Sequence, residues 1–299
     1  MPWHVLGAGS LGMLWASRLA VSGLPTTLIL RNQDSLHNYL QAGAIAITHQ
    51  QHQKLIRLPA QTAATDKPVQ RLILACKAYD AESAIASIAH RLPKGADVLL
   101  LQNGLGSQTA VAAQIPQARC ILLSSTEGAF RDGRFSVNFA GQGHNWLGDP
   151  LDPTPPGWLA ELQQAGIPYQ WTASISERLW RKLAVNCAIN PLCVLHNCRN
   201  GGLLEHLEEV NSLCHELATL LEQCAGNAAG AGLFTEVEQI IRATASNHCS
   251  MQQDVQRGQR TEISYLLGHA CLQARQRSLQ VPLLADLQQR LRAHLQALG

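Results

Sequence analysis

Up to about residue 170, short aliphatic and β-branched runs alternate with stretches of helical periodicity. The strand-like runs are His4-Val5-Leu6, Thr27 to Leu30, Leu72 to Cys76, Val98 to Leu101 and Cys120 to Leu123; helix-compatible stretches lie near 10–22, 80–91 and 106–114. Such alternation predicts a parallel sheet with crossover helices, doubly wound. Segment 134–148 reads as a further strand pair or edge, with Gly133, Gly141 and Gly143 as turn signals. Prolines at 150, 153, 155 and 156 precede one more helical stretch near 157–165.

Beyond about residue 173 the β-branched runs disappear. Leu, Ala, Glu and Gln dominate, and apolar residues recur at three- and four-residue spacings, so this half is expected to be all helical. Ser174-Ile175-Ser176-Glu177 fits a capping box opening its first helix. The expected domains are therefore 1–173, a doubly wound α/β domain, and 174–299, a helical domain. No fixed-period repeat is visible, and Ala225 to Gly232, rich in Ala and Gly, reads as a flexible loop.

With 299 residues, 46% of them hydrophobic, the chain can build a core in each half. A formal charge of +2, from 23 basic and 21 acidic residues with no basic stripe, makes nucleic acid a poor partner. Apolar runs fall well short of the ~20 residues a membrane helix needs. No leader pattern precedes Trp3, so a cytoplasmic address is expected. The nine cysteines, including Cys76, Cys120, Cys187 and Cys271 inside apolar runs, read as reduced core residues. His215-Glu216 is followed by Thr219 where a zinc motif needs a second His, and Cys187, Cys193 and Cys198 contain no C-x-x-C pair; no metal is expected.

Gly7-Ala8-Gly9-Ser10-Leu11-Gly12 follows a strand and opens a helix, the context of a dinucleotide fingerprint, so domain 1–173 is expected to be a Rossmann-type nucleotide-binding domain. Gly7 suits a tight turn, Gly9 a close phosphate approach and Gly12 helix–strand packing, while the helix N-terminus offers amides to the pyrophosphate. The second strand ends at Arg31, where an NAD-binding protein usually carries an acid. A guanidinium there suits a 2′-phosphate, and Asn32 adds no repulsion, so NADPH is preferred to NADH. Lys77 lies just past the third strand, at the edge where ligands gather.

Lys182, Asn186 and Asn190 recur every four residues along one face of a helix whose other positions are overwhelmingly apolar. Asparagine is a weak helix former and costly to bury unpaired, so two in register with a lysine suggest a stripe facing a cleft. A lysine there can protonate a carbonyl oxygen as hydride arrives, and the asparagines can bind polar groups of a small substrate. Glu262 is the carboxylate to look for nearby, although on pattern alone it reads as a surface residue.

These segments, with Leu101 to Gly106, Ser250-Met251 and Thr261-Glu262, resemble the ketopantoate reductase (2-dehydropantoate 2-reductase) family through essentially the whole chain. The resemblance implies NADPH-dependent reduction of 2-dehydropantoate to (R)-pantoate, a step toward pantothenate and coenzyme A, in an interdomain cleft suited to hinge closure. It implies Lys182 as proton donor, with Asn186, Asn190 and Asn200 binding substrate and Ser250 its carboxylate. Glu262 would lie near the cofactor and reacting hydroxyl, while Lys77, Asn103 and Ala129 border the cofactor, Asn103 nearest the nicotinamide. Glu127 stands where many members carry His, which leaves the local cofactor contacts open. Another small 2-oxo acid as substrate, or a non-catalytic NADPH-sensing role, are the competing readings, and a monomer or homodimer is expected.

Overall fold

The computed structural model describes residues 1–298 and divides into two compact units, Met1–Gln102 with Ser107–Ile175, and Asn103–Gly106 with Ser176 onward. In the first, the chain runs β1 (Trp3–Leu6), α1 (Ser10–Val21), β2 (Thr26–Leu30), α2 (Gln33–Ala42), β3 (Ile45–His49), β4 (His52–Ile56), β5 (Ala60–Thr62) and β6 (Arg71–Leu74). It continues through α3 (Ala81–Ile88), β7 (Asp97–Leu100), α4 (Ser107–Gln114), β8 (Arg119–Ser125), β9 (Gly128–Gly133), β10 (Ser136–Gly141), β11 (Asn145–Gly148), α5 (Leu159–Gln164) and β12 (Gln170–Trp171). The second unit holds α6 (Ile175–Leu195), which begins on the dividing residue, then α7 (Leu207–Ala225), α8 (Leu233–Ala243), α9 (Ser250–Gln256), α10 (Leu267–Gln276) and α11 (Pro282–Ala297).

The main sheet has the order β12-β11-β8-β7-β6-β1-β2-β5. Strands β5, β2, β1, β6, β7 and β8 are parallel, so the chain builds outward from β1 in both directions and the sheet is doubly wound as the alternation predicts. Successive residues face opposite cores: Val5, Ile73 and Leu99 join one apolar cluster, whereas Leu6, Leu72, Leu74 and Val98 join the other. Covering both faces explains why these strands are continuously apolar. A second sheet, β4-β3-β10-β9, has only β10 foreshadowed in the sequence, and segment 134–148 is not a strand pair, because β10 joins this sheet while β11 pairs antiparallel with β8 in the main one. Helix α1 packs against β1 and β2 and also against β9, β10 and β3, which accounts for the burial of Met13, Leu14, Trp15, Ala16 and Leu19 nearly all round it.

Between Trp15, Arg18 and Glu127 lies the polar link that ties the β8–β9 connection to α1. The Glu127 carboxylate accepts from Trp15 Nε1 at 2.7 Å and from Arg18 Nη1 at 2.5 Å, with its own side chain wholly inaccessible. The acid is thus turned inward, compensated by the guanidinium, which also lies over the Phe139 ring.

In the second unit every strand signal is absent among the described residues. Its core gathers Leu183, Cys187, Leu192, Leu213, Leu217, Leu267 and Leu284 from α6, α7, α10 and α11. Glu216, the acid of the incomplete zinc motif, caps α11 by accepting from the Leu283 and Leu284 amides at 2.8 and 2.9 Å. Three local expectations are corrected. The Ser174 hydroxyl pairs with Thr172 Oγ1 at 3.3 Å rather than closing a capping box. Residues 226–233 form successive hydrogen-bonded turns, held by Arg181 Nη1 donating to the Ala229 carbonyl at 2.7 Å and by Gly230 abutting Ala218. Glu262 is buried, only 6% exposed, rather than on the surface. All nine cysteines are thiols; Cys187 and Cys271 are core, Cys76 and Cys120 only half-buried.

Replacing Glu127 by Ala leaves a guanidinium and an indole N–H without their acceptor and should cost about 3–5 kcal/mol in urea unfolding. The double replacement Arg18→Met with Glu127→Leu should recover most of that loss; an unchanged midpoint for Glu127→Ala contradicts the account.

Candidate functional site

The candidate nucleotide cradle lies where β1 ends and α1 begins. Gly7 takes φ +103°, a left-handed value that glycine adopts freely, and turns the chain from Leu6 toward the helix. A Cβ on Gly9 would sit 2.7 Å from the Ala75 carbonyl oxygen, and one on Gly12 2.5 Å from the Ala75 Cβ and 2.9 Å from the Gly7 oxygen. Gly9 and Gly12 are therefore both required by the approach of the chain beyond β6, which for Gly9 is a constraint the phosphate argument did not contain.

Helix α1 starts at Ser10 with no acidic residue in its first turn. The amides of Ser10, Leu11 and Gly12 have no carbonyl partner within the helix and lie at its positive end, so with half-buried Ala8 they are the residues that could hold a pyrophosphate. Because β1, β2 and β6 are parallel, Gly7, Arg31 and Lys77 all follow the carboxyl ends of neighbouring strands. Arg31 is exposed, and Asn32 uses Oδ1 to cap α2 by accepting from Ser35 N at 2.9 Å. Lys77 is half-buried ahead of a short 3-10 turn at 78–80, and Ala129 is half-buried on β9.

The second unit assembles a different chemistry around α6. Lys182, Asn186 and Asn190 climb one face of this helix, which runs on through Pro191 although that residue cannot donate to the Cys187 carbonyl. Lys182 Nζ donates to Asn103 Oδ1 at 2.9 Å. Asn103 opens the four-residue segment 103–106, which is anchored by Leu105 N donating to the Tyr265 carbonyl at 2.9 Å. Gly104, at φ +78°, brings its backbone so close that a Cβ would lie 2.3 Å from that same carbonyl oxygen. Tyr265 ends the 3-10 turn 263–265, immediately after Glu262. Three distant stretches of sequence thereby converge on one ammonium.

Electrostatics at this point are decided by two opposed effects. Burial lowers the Lys182 pKa from its ordinary 10.5 to about 8, while the Glu262 carboxylate pulls it back upward. Since the folded value is depressed, the unfolded chain holds the extra proton between about pH 8 and 10.5. The cost to stability is fully present below about pH 8 and is relieved as pH rises through that interval. A lysine of this kind is still mostly protonated near neutrality, yet gives up its proton more readily than a solvated one.

Around it, Asn190 is 5% exposed and Asn186 half-buried, and among the described residues neither amide side chain hydrogen-bonds to protein. Their donors and acceptors are thus available to a small polar ligand. Ser250, exposed at the start of α9, follows Cys249, whose thiol contacts the Asn190 carbonyl oxygen at 3.7 Å. Asn200 behaves differently. Its Nδ2 donates to Thr244 Oγ1 at 2.8 Å, and its Oδ1 accepts from the Cys193 thiol at 3.5 Å, so each end of the amide holds one internal bond. The segment 262–265 as a partner for 103–106 escaped the sequence reading; the glycines at 104 and 106 were the available signal of a close backbone approach.

Comparisons with known proteins address the family and the fold. The family model described as ketopantoate reductase PanE/ApbA matches residues 3–151, and its C-terminal counterpart matches 174–295. A 2-dehydropantoate 2-reductase of Salmonella typhi is 34% identical over 280 residues, covering 93% of this chain and 90% of that protein. One from Vibrio cholerae is 29% identical, with 96% of each chain covered. Among solved structures, a PanE/ApbA family ketopantoate reductase from Ralstonia eutropha superposes with a TM-score of 0.87 at 21% identity, covering 100% of this chain and 99% of that one. D-mandelate dehydrogenase with NADH and anilino(oxo)acetate superposes with 0.88 at 20%, with the same coverage. At such identities the superpositions speak for the fold alone, but matches to both family models together with 34% identity over nearly the full length establish that the chain belongs to the ketopantoate reductase family.

Proposed function

We propose that this protein reduces 2-dehydropantoate to (R)-pantoate with NADPH, in the cytoplasm, as a step toward pantothenate and coenzyme A. The observation that carries the reading is Lys182, an ammonium held among protein groups by Asn103 and Glu262 with unpaired amides one and two helical turns away. The family relationship, and relatives named 2-dehydropantoate 2-reductase, support the choice of acid.

The cradle residues Gly7 to Gly12 fit a pyrophosphate, and Arg31 fits a 2′-phosphate, with Lys77, Asn103 and Ala129 bordering the nucleotide. A reduced nicotinamide, when bound, supplies the hydride that the keto carbon accepts. Lys182 donates a proton to the keto oxygen as negative charge develops there, so the alcohol leaves neutral at that oxygen and the lysine recovers its proton from solvent. Glu262 keeps the amine charged until that moment. Asn186 and Asn190 bind the polar groups of the substrate and Ser250 its carboxylate, while Asn200, bonded to Thr244 and Cys193, supports the wall behind them.

A second reading retains the lysine but changes the acid or the nucleotide, favoured by the likeness in fold to D-mandelate dehydrogenase with NADH. Specificity constants separate the two. Ketopantoate with NADPH should exceed both NADH and 2-oxo acids lacking the hydroxymethyl or gem-dimethyl groups, and Arg31→Ala should erode the preference for NADPH; a larger constant for a simpler acid contradicts the assignment of substrate.

Lys182→Ala should lower turnover by about 10²–10⁴-fold, the usual worth of a positioned proton donor, with NADPH affinity measured by fluorescence nearly unchanged. Turnover equal to that of the parent protein removes the lysine from the chemistry.

A further inference from the structure

Just past the end of α6, His196 meets His206, which closes the 3-10 segment Asn200–His206, and Glu209 in the first turn of α7. The two imidazole rings stack, with centroids 3.7 Å apart and planes 13° from parallel. His196 Nε2 lies 2.9 Å from Glu209 Oε2, and one donor atom from each of the three half-buried residues falls within 4.8 Å of the others. The second oxygen of Glu209 accepts from Arg290 Nη1 at 3.1 Å, which fixes the carboxylate with its other oxygen toward the imidazoles. Burial works to raise the carboxyl pKa, but the bonds from His196 and Arg290 outweigh it and keep the group below its ordinary value, ionised at neutrality. Glu205 and Glu208 line an adjoining cavity of about 440 Å³, adding negative potential.

We propose that His196, His206 and Glu209 form a binding site for a borderline divalent cation of the zinc, nickel or copper class, with water completing the coordination. Two imidazoles and a carboxylate suit such ions, whereas magnesium and calcium favour all-oxygen shells. Metal–ligand bonds of about 2.0–2.2 Å require donors closer together than 4.8 Å, a contraction that side-chain rotation can supply. The ion replaces the His196–Glu209 hydrogen bond, with the proton of each neutral ring carried on the nitrogen that does not ligate. Bound there, it ties the end of the helix that bears Lys182 to the segment that begins with Asn200. The order His196, His206, Glu209 matches no familiar zinc spacing, so the proposal departs from the expectation drawn from sequence motifs.

Full-length protein, stripped of metal and kept reduced with a phosphine, is titrated with zinc chloride by calorimetry and separately loaded with cobalt(II). One equivalent of zinc should bind and raise the melting temperature, with no comparable effect of magnesium or calcium. His206→Asn and Glu209→Gln should each weaken binding by about tenfold or more. The cobalt form should show d–d absorption without a thiolate charge-transfer band. Absence of stoichiometric zinc binding, undiminished binding in both folded variants, or a thiolate band pointing to the cysteines instead would each overturn the site.

Discussion

Holding one half-buried ammonium group against its partners is the constraint around which the helical unit is organised. A buried lysine is tolerated only where its protons find acceptors and its charge an opposite partner. Here the acceptor is Asn103, delivered by a four-residue segment whose Gly104 fits against the Tyr265 carbonyl, and the opposite charge is Glu262, three residues before Tyr265. Removing any of these members leaves the others misplaced, so the electrostatic balance at Lys182 and the packing of α6, 103–106 and 262–265 are one problem. The same balance gives the group its chemical character, since a solvated lysine holds its proton too tightly to serve as an effective acid near neutrality.

In the first unit the corresponding constraint is steric. The chain beyond β6 runs so close to the turn between β1 and α1 that Ala75 excludes a Cβ from both Gly9 and Gly12. That closeness leaves the first amides of α1 at the carboxyl edge of the parallel strands, where a phosphate can reach them. Glu127, in turn, ties the second sheet to the other side of α1 through Trp15 and Arg18, so the helix that presents these amides is held from both sides.

How far the residues alone disclose this depends on the kind of interaction. Strands buried on both faces, such as Arg71–Leu74 and Asp97–Leu100, announce themselves as apolar runs, and the periodic stretch containing Lys182 announces α6. The hairpin of β3 and β4 was hidden, because β4 is mostly exposed and its turn places Gln50 and Gln51 at positive φ where Gly or Asn normally gives the signal. Helix α2 buries only Tyr39 and so lacks an apolar stripe. At the site, the stripe Lys182, Asn186, Asn190 follows from helical spacing, but the pairing with Glu262 and Asn103 is long-range and no local pattern encodes it. Asn200 shows the converse, a residue the resemblance assigns to substrate whose amide the fold has engaged internally.

The most direct test of the lysine's role in this architecture is its titration, followed by NMR of protein labelled at the lysine side-chain carbons, with Lys182→Arg used for assignment. The account predicts one lysine titrating near pH 8, shifted lower still when Glu262 is replaced by Gln. A Lys182 signal that titrates at the ordinary 10.5, indifferent to the charge at 262, would contradict it.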